Sequence, residues 1–417
     1  MTLLMARIKT LILATLAALA VAMPCQAAAF TMKRGLNLDA WTTWPGADKW
    51  GDAQAMLPFP EWRRFMGEAD LERLKDAGFD FLRMPVDPSP FLSDRTAALR
   101  ADLFASVLES ARLVNRAGLK VVVDLHLMPT GGNGVTGMGE VMGDPVLFDR
   151  YVEFVRAMAR TLSGEDPRFV ALEPMNEPVT DCEGEGIDPW PQRLRRLFAA
   201  ARASATRLTL VLSGACYSSG AALARAVPGA IPDDNVIWTF HSYQPLLLTH
   251  QGATWAGDFI RYVTGLPYPP TAMPRAELDE ALAVVRRRIE AEAPPARRAD
   301  MLAYLDGQIA TIDTGEKLRA DMEAPFEAVA AWAKANGISP QNVMLGEFGM
   351  IRQEYGNPYV VPGRYRAAYV RDMIGIAEKH GFSWAIWSYG GTFGIVDAFD
   401  GDKAAPEVMD MVRRLPK

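Results

Sequence analysis

The sequence predicts an α/β protein, a (β/α)8 TIM barrel of one domain, with a helical insertion between strand 6 and strand 7. Three observations carry that expectation. Short apolar strand signals alternate with amphipathic helical signals from residue 34 to the C-terminus, the pattern of βα units around a parallel sheet. The run Leu119 to His126 is almost unbroken apolar sequence, as befits a strand covered on both faces. Polar residues gather at the ends of these runs, where the strands of a barrel open onto one mouth.

Taken in order, the first strand is Arg34 to Leu38, followed by a loop with Trp41, Trp44 and Trp50 and a helix from about Glu61 to Ala77, ended by Gly78. Phe79 to Val86 is the second strand, and its helix runs from about Leu99 to Ala117, ended by Gly118. Leu119 to His126 is the third. A Gly-rich loop, Thr130 to Gly143, leads to a helix over Pro145 to Leu162. Phe169 to Glu173 is the fourth strand, delivering Asn176 and Glu177, with a helix over Pro191 to Ala205 behind it. Leu208 to Ser213 and Val236 to His241 are the fifth and sixth, joined through a short helix near Gly220 to Ala226. Val343 to Glu347 is the seventh and Ser383 to Trp387 the eighth, with helices over Arg364 to Lys379 and Pro406 to Leu415.

The interval between strands six and seven is longer than one loop and helix require. We read residues 246–322 as a rim insertion: a Pro/Tyr-rich start (Leu266 to Pro274), then helices over Ala276 to Ala291 and Ala296 to Thr311. The sixth barrel helix is expected near Ala324 to Asn336. No Gly/Ser linker isolates this stretch, so residues 30–417 read as a single catalytic domain.

Residues 1–29 carry a basic start (Arg7, Lys9), an apolar core (Leu11 to Met23) and a small-residue site (Ala27 to Ala29), which together read as a cleavable signal peptide. No later run approaches the roughly 18 apolar residues of a membrane span. The expectation is a secreted or periplasmic protein without stable membrane association. Export makes a disulfide between Cys182 and Cys216 one reading of the two remaining cysteines, and two unpaired thiols the other. The chain is 49% hydrophobic with a formal charge of −6. That acidity argues against nucleic acid as a partner, which requires a basic surface. A monomer is expected.

Two carboxylates follow apolar strands and precede turns. One is Glu177, in Leu172-Glu173-Pro174-Met175-Asn176-Glu177-Pro178, and the other is Glu347, in Val343-Met344-Leu345-Gly346-Glu347-Phe348-Gly349. Opposed carboxylates at strand ends are the minimum for cleaving a glycosidic bond. Arg83, Asp124, His126, Asn176, His241, Tyr243 and Trp387 close neighbouring strands. The bland alternatives are a turn carboxylate for Glu177, an ion pair for Glu347 and a core aromatic for Trp387.

The set Phe81-Leu82-Arg83-Met84-Pro85, Asp124-Leu125-His126, Asn176-Glu177-Pro178, His241-Ser242-Tyr243, Gly346-Glu347-Phe348-Gly349 and Trp384-Ala385-Ile386-Trp387 resembles glycoside hydrolase family 5, the cellulase-like retaining β-glycanases. The resemblance implies Glu177 as acid/base and Glu347 as nucleophile. It implies Asn176 on the sugar 2-hydroxyl, with Arg83, His126, His241 and Tyr243 orienting the sugar and the acids, and Trp387 as a sugar platform. Trp41, Trp44, Tyr217 and Trp255 are candidates for further subsites. The function expected is retaining hydrolysis of β-linked glucans, of endo-β-1,4-glucanase type, on an oligo- or polysaccharide. Mannan, β-1,3-glucan or exo-acting β-glucosidase specificity is the alternative. No cofactor or metal is called for. A metal-dependent barrel enzyme using Asp124, His126, Glu177, His241 and Glu347, or a silent glycan-binding barrel, are readings from other classes. The residues lack His-x-His spacing, which weighs against the first, and both acids are present, which weighs against the second.

Overall fold

The computed structural model describes residues 30–416, apart from 40, 58–65, 130, 133–134, 180–181, 183–188, 399–400, 402 and 404–405. The expected signal segment, residues 1–29, lies outside the described residues.

Eight parallel strands close into a barrel in sequence order: β1 (Arg34–Asn37), β2 (Phe81–Val86), β3 (Lys120–Leu125), β4 (Val170–Glu173), β5 (Thr209–Ser213), β6 (Val236–His241), β7 (Val343–Phe348) and β8 (Ser383–Ile386). The ring shuts where Gly35 of β1 pairs with Ala385 of β8. Around it stand helices α1 (Glu68–Asp76), α2 (Arg100–Arg116), α3 (Pro145–Leu162), α4 (Trp190–Ser204) and α5 (Gly220–Leu223). After β6 come α6 (Arg275–Glu292), α7 (Arg298–Ala310) and α8 (Gly315–Ala335), then α9 (Gly363–Lys379) and α10 (Glu407–Arg413). Among the described residues no helix is long and apolar enough to cross a membrane.

Three expected boundaries need correction. The helix expected from Glu61 begins, among the described residues, at Glu68; Gly67 precedes it in extended conformation and its N–H bonds the Asp70 carboxylate. Part of the loop expected over Thr130 to Gly143 is a short helix, Met138–Gly143. The helix expected near Ala324 starts instead at Gly315. Thr314 caps it by accepting from Lys317 N–H, and it runs through Pro325. Pro325 lies within it, a position where the missing N–H and the ring ordinarily break or kink a helix.

The barrel interior is built in two chemical layers. At the base one residue from each of seven strands, Phe81, Val122, Ala171, Val211, Ile237, Met344 and Ala385, packs with Phe30. The remaining strand, β1, offers Gly35, where an added Cβ would lie 2.3 Å from the Phe81 ring, so the glycine is what lets that ring in. Side chains two residues further along a strand face the same way. Asn37, Arg83, Asp124, Glu173, Ser213 and Thr239 therefore form a second, polar level, and all six are buried. Burial of six polar groups needs internal partners. The site supplies most of them.

Candidate active site

Arg83 is the centre of the polar level, with its side chain fully buried. Its Nε and Nη2 donate to the two oxygens of Glu173 at 2.8 and 3.0 Å. Nη1 donates to Asn37 Oδ1 at 2.9 Å and to Glu347 Oε1 at 2.7 Å. Nη2 also reaches Asn176 Oδ1 at 2.7 Å and lies 3.0 Å from Asp124 Oδ2. A planar, permanently charged fork suits this arrangement as a flexible ammonium would not.

The arginine sets proton positions further out. Because it can only donate, it fixes Asn176 with Oδ1 inward, and Asn176 Nδ2 then faces His126 Nε2 at 3.2 Å. That nitrogen must accept, so His126 carries its proton on Nδ1 and donates to Asp124 Oδ2 at 2.8 Å. Burial lowers the His126 pKa and pushes Asp124 up to about 7. His126 is also stacked against Trp387, with centroids 5.4 Å apart and 18° between planes.

Glu347 owes its aim to a break in register. Along β7, Met344 faces inward, and simple alternation would turn residue 347 outward. The pairing with β6 steps from Phe240 opposite Leu345 to His241 opposite Glu347, so Gly346 is an extra residue and the glutamate turns back to the mouth. A Cβ at Gly346 would stand 2.4 Å from Thr239 Oγ1, so the turn requires glycine. Glu347 Oε1 takes Arg83, and Oε2 accepts from the Tyr243 hydroxyl at 2.9 Å. Burial raises its pKa, opposed chiefly by His241, with Arg83 also pulling it down.

Glu177 sits with φ at +40°, in the left-handed region that costs a non-glycine residue about 1–3 kcal/mol. Its Oε1 lies 2.7 Å from His241 Nδ1. Burial pushes Glu177 up to about 7 and His241 down to about 4. One oxygen of each glutamate and one nitrogen of His241 lie within 4.8 Å of one another. Such a trio resembles a cation site by composition. However, its atoms are committed: both Glu347 oxygens accept hydrogen bonds, and an arginine cation already occupies one side. The donor set therefore does not fit a resident metal.

All eight sequence-selected inner residues, Arg83, His126, Asn176, Glu177, His241, Tyr243, Glu347 and Trp387, come together here. The four outer aromatics divide. Trp41 and Trp44 are buried at 4% and 7% exposure, and the Trp44 N–H is spent on the Asp87 carbonyl at 3.0 Å. Contrary to expectation, neither offers an open face. Tyr217 and Trp255 do, at 47% and 58% exposed. Cys182 and Cys216 are joined by a disulfide.

Three residues escaped the sequence reading. Glu173 balances Arg83, and Asn37 Nδ2 ties the Gly346, Ala385 and Ile386 carbonyls together at 3.0–3.3 Å. Asp39 accepts from Gly390 N–H at 2.9 Å and is pushed by burial up to about 7. The available signal was a polar residue two places after an inward apolar one in strands one and four.

A family model described as cellulase (glycosyl hydrolase family 5) matches residues 42–392. Endoglucanase 3 of Fibrobacter succinogenes is 23% identical over 80% of this chain and 47% of its own length. Cellodextrinase A of Ruminococcus flavefaciens is 28% identical over 54% of this chain and 63% of its own. The chain thus spans about half to two thirds of the length of these curated relatives. In fold it is similar to the cellulose synthase subunit Z of Clostridioides difficile, at TM-score 0.61 and 20% identity over 91% of this chain and 99% of that one. It is also similar to Thermotoga maritima Cel5A in complex with mannotriose, at TM-score 0.61 and 18% identity over 92% and 97%.

Proposed function

The chain belongs to glycosyl hydrolase family 5, and from that premise we propose that it is a retaining glycoside hydrolase acting on β-linked glucans. The observation that carries the reading is the approach of Glu177 and Glu347 to within 4.8 Å, with different partners on each. Retaining enzymes hold their carboxyl groups about 5 Å apart, too close to admit a water between sugar and base.

Glu347 attacks the anomeric carbon as the glycosidic bond breaks. Glu177 gives its proton to the departing oxygen, leaving a glycosyl ester on Glu347. Glu177, now a carboxylate, takes a proton from water, which displaces Glu347 from the same carbon and restores both groups. Arg83 and Tyr243 hold Glu347 for attack. Asn176 Nδ2 and the Trp387 face are the contacts for the sugar being cleaved, the first for its 2-hydroxyl and the second for its C–H face.

For substrate we favour β-1,4-glucan cut internally, supported by similar proteins named endoglucanases and a cellodextrinase. A mannotriose complex of a similar fold keeps mannan as the second reading. Export through the N-terminal segment and action as a monomer belong to the same proposal. An activated 2-fluoroglycoside tests the chemistry. Its sugar should become attached to Glu347, read by peptide mass, and Glu347→Ala should abolish the label. Labelling elsewhere, or none while the wild type still turns over, removes the assignment.

A further inference from the structure

Among the described residues, two hydroxyls of the polar level have no hydrogen-bond partner. They belong to Ser213 of β5 and Thr239 of β6, which pair with each other across the two strands, point into the barrel and are buried. His241 follows Thr239 by two residues on the same face of β6. Its Nε2 is buried and likewise unpartnered. The point that a Gly346 Cβ would take lies 2.4 Å from Thr239 Oγ1 and 3.0 Å from His241 Nε2, so these two atoms border one spot. Neighbouring strands stand about 4.8 Å apart, which sets the Ser213 hydroxyl beside them.

The other nitrogen of the same ring faces the acid/base, His241 Nδ1 lying 2.7 Å from Glu177 Oε1. If Nδ1 accepted there, the Glu177 proton would sit on Oε1, turned to the histidine and away from the departing oxygen. If Nδ1 donates, Oε1 is the accepting oxygen and the acid proton is left on Oε2 for transfer. After the transfer Glu177 is a carboxylate, which again needs a donor at Nδ1. Both halves of the reaction therefore call for a neutral histidine with its proton on Nδ1, and Nε2 is then an acceptor. A buried acceptor without a donor is costly. One water, with arms of about 2.8 Å, can accept from the Ser213 and Thr239 hydroxyls and donate to Nε2, and about three such bonds are what a buried water usually makes.

We propose that Ser213 and Thr239 are positioning residues for the acid/base: their hydroxyls hold one buried water, which donates to His241 Nε2 and so keeps the histidine's own proton on Nδ1, against Glu177. This rests on the glycosidase reading above. Neither hydroxyl bonds either glutamate, so their effect reaches the reaction through His241.

The test removes the two hydroxyls from the full chain with Thr239→Val and Ser213→Ala, singly and together, and uses the best substrate among β-1,4-gluco, β-1,3-gluco and β-1,4-manno oligosaccharides. The double variant should lose about tenfold in kcat, with KM within about twofold. Its alkaline limb should move up by about one pH unit, because a weakened donor at Nδ1 no longer favours the Glu177 carboxylate. Thr239→Ser keeps a hydroxyl and should stay near the wild type in both. Glu173, Glu347, Arg83, Asp124, His126 and Tyr243 are the titratable and charged groups around Glu177 and His241. All are the same in every variant, so a moved limb reports the Nε2 side. Nitrogen-15 NMR of the imidazoles reads the tautomer without turnover, with the His241 signals assigned by their loss in His241→Gln. The wild type should carry the His241 proton on Nδ1, and the Nε2 signal should change in the double variant. A proton on Nε2 in the wild type, an Nε2 signal that the double variant leaves unchanged, or a loss of kcat with an unmoved limb would overturn the positioning. The expected NMR result in a protein that turns over none of the three series defeats the hydrolase reading alone.

Discussion

Glu177 and Glu347 are the same side chain made different by what touches them. Glu347 accepts from a guanidinium on one oxygen and a phenol on the other, and both contacts favour the anion. Glu177 has a single histidine at 2.7 Å and a buried setting that pushes it up to about 7. Below that pH Glu177 holds the proton it must deliver, so kcat/KM should fall as pH rises through about 7. Glu177→Gln should lose about 10²–10⁴ in rate on poor leaving groups and shed that alkaline limb. pH–rate profiles with good and poor leaving groups measure both, and an unchanged limb in the variant would contradict the role. Most of the inner residues were legible because they lie at or just past the end of an apolar strand; Glu347 was legible by that position alone, since the Gly346 bulge and not alternation aims it. Asp39, Asn37 and Glu173 were not. Asn37 and Glu173 also end strands, β1 and β4, but what they do there depends on Arg83 of β2, a partner not visible in sequence until the barrel closes.

At the scale of elements, the disulfide and the left-handed turn beside it brace the acid/base segment. Cys216, Tyr217 and Ser218 all have φ between 52° and 56°. Tyr217 N–H bonds the Pro178 carbonyl next to Glu177, and the Ser218 carbonyl accepts from His241 N–H. The bond from Cys216 to Cys182 closes the chain 34 residues apart. Cys182→Ser with Cys216→Ser should cost about 3–4 kcal/mol of stability in the chain-entropy model. It should also reduce kcat, because the segment carrying Glu177 loses its tie to the turn that holds His241. Denaturation midpoints with and without reductant, beside kcat at a temperature where both forms are folded, test the two effects separately. The elements themselves were largely readable, with strands and most helices found within a few residues. Boundaries failed where packing overrides a local signal, as in α8, which starts at Gly315 and runs through Pro325. The Gly346 bulge was unreadable, since its signature is a pairing with β6 and not a property of β7 alone.

For the whole molecule, the site is a stability cost that the rest of the barrel bears. Asp39, Asp124 and Glu177 are each pushed by burial up to about 7, and His241 and His250 are pushed down to about 4 and 3. These groups act in opposite senses. A buried acid keeps a proton that the unfolded chain gives up, so it lowers stability as pH rises. A buried histidine refuses a proton that the unfolded chain would take, so it lowers stability as pH falls. The slope for the wild type mixes both and isolates neither, but a difference between variants does. For Glu177 the unfolded carboxyl titrates near 4.5 and the folded one near 7. Its penalty is therefore absent below about pH 4, grows between the two values, and levels off above 7 at roughly 3 kcal/mol at most. Glu177→Gln removes the titration while keeping the shape of the side chain. The variant should match the wild type in melting temperature near pH 4 and exceed it by a few degrees at pH 8. A difference that is flat across that range, or that shrinks toward alkaline pH, would mean that Glu177 stays ionised in the folded protein, and the proton it is assigned to deliver would not be there.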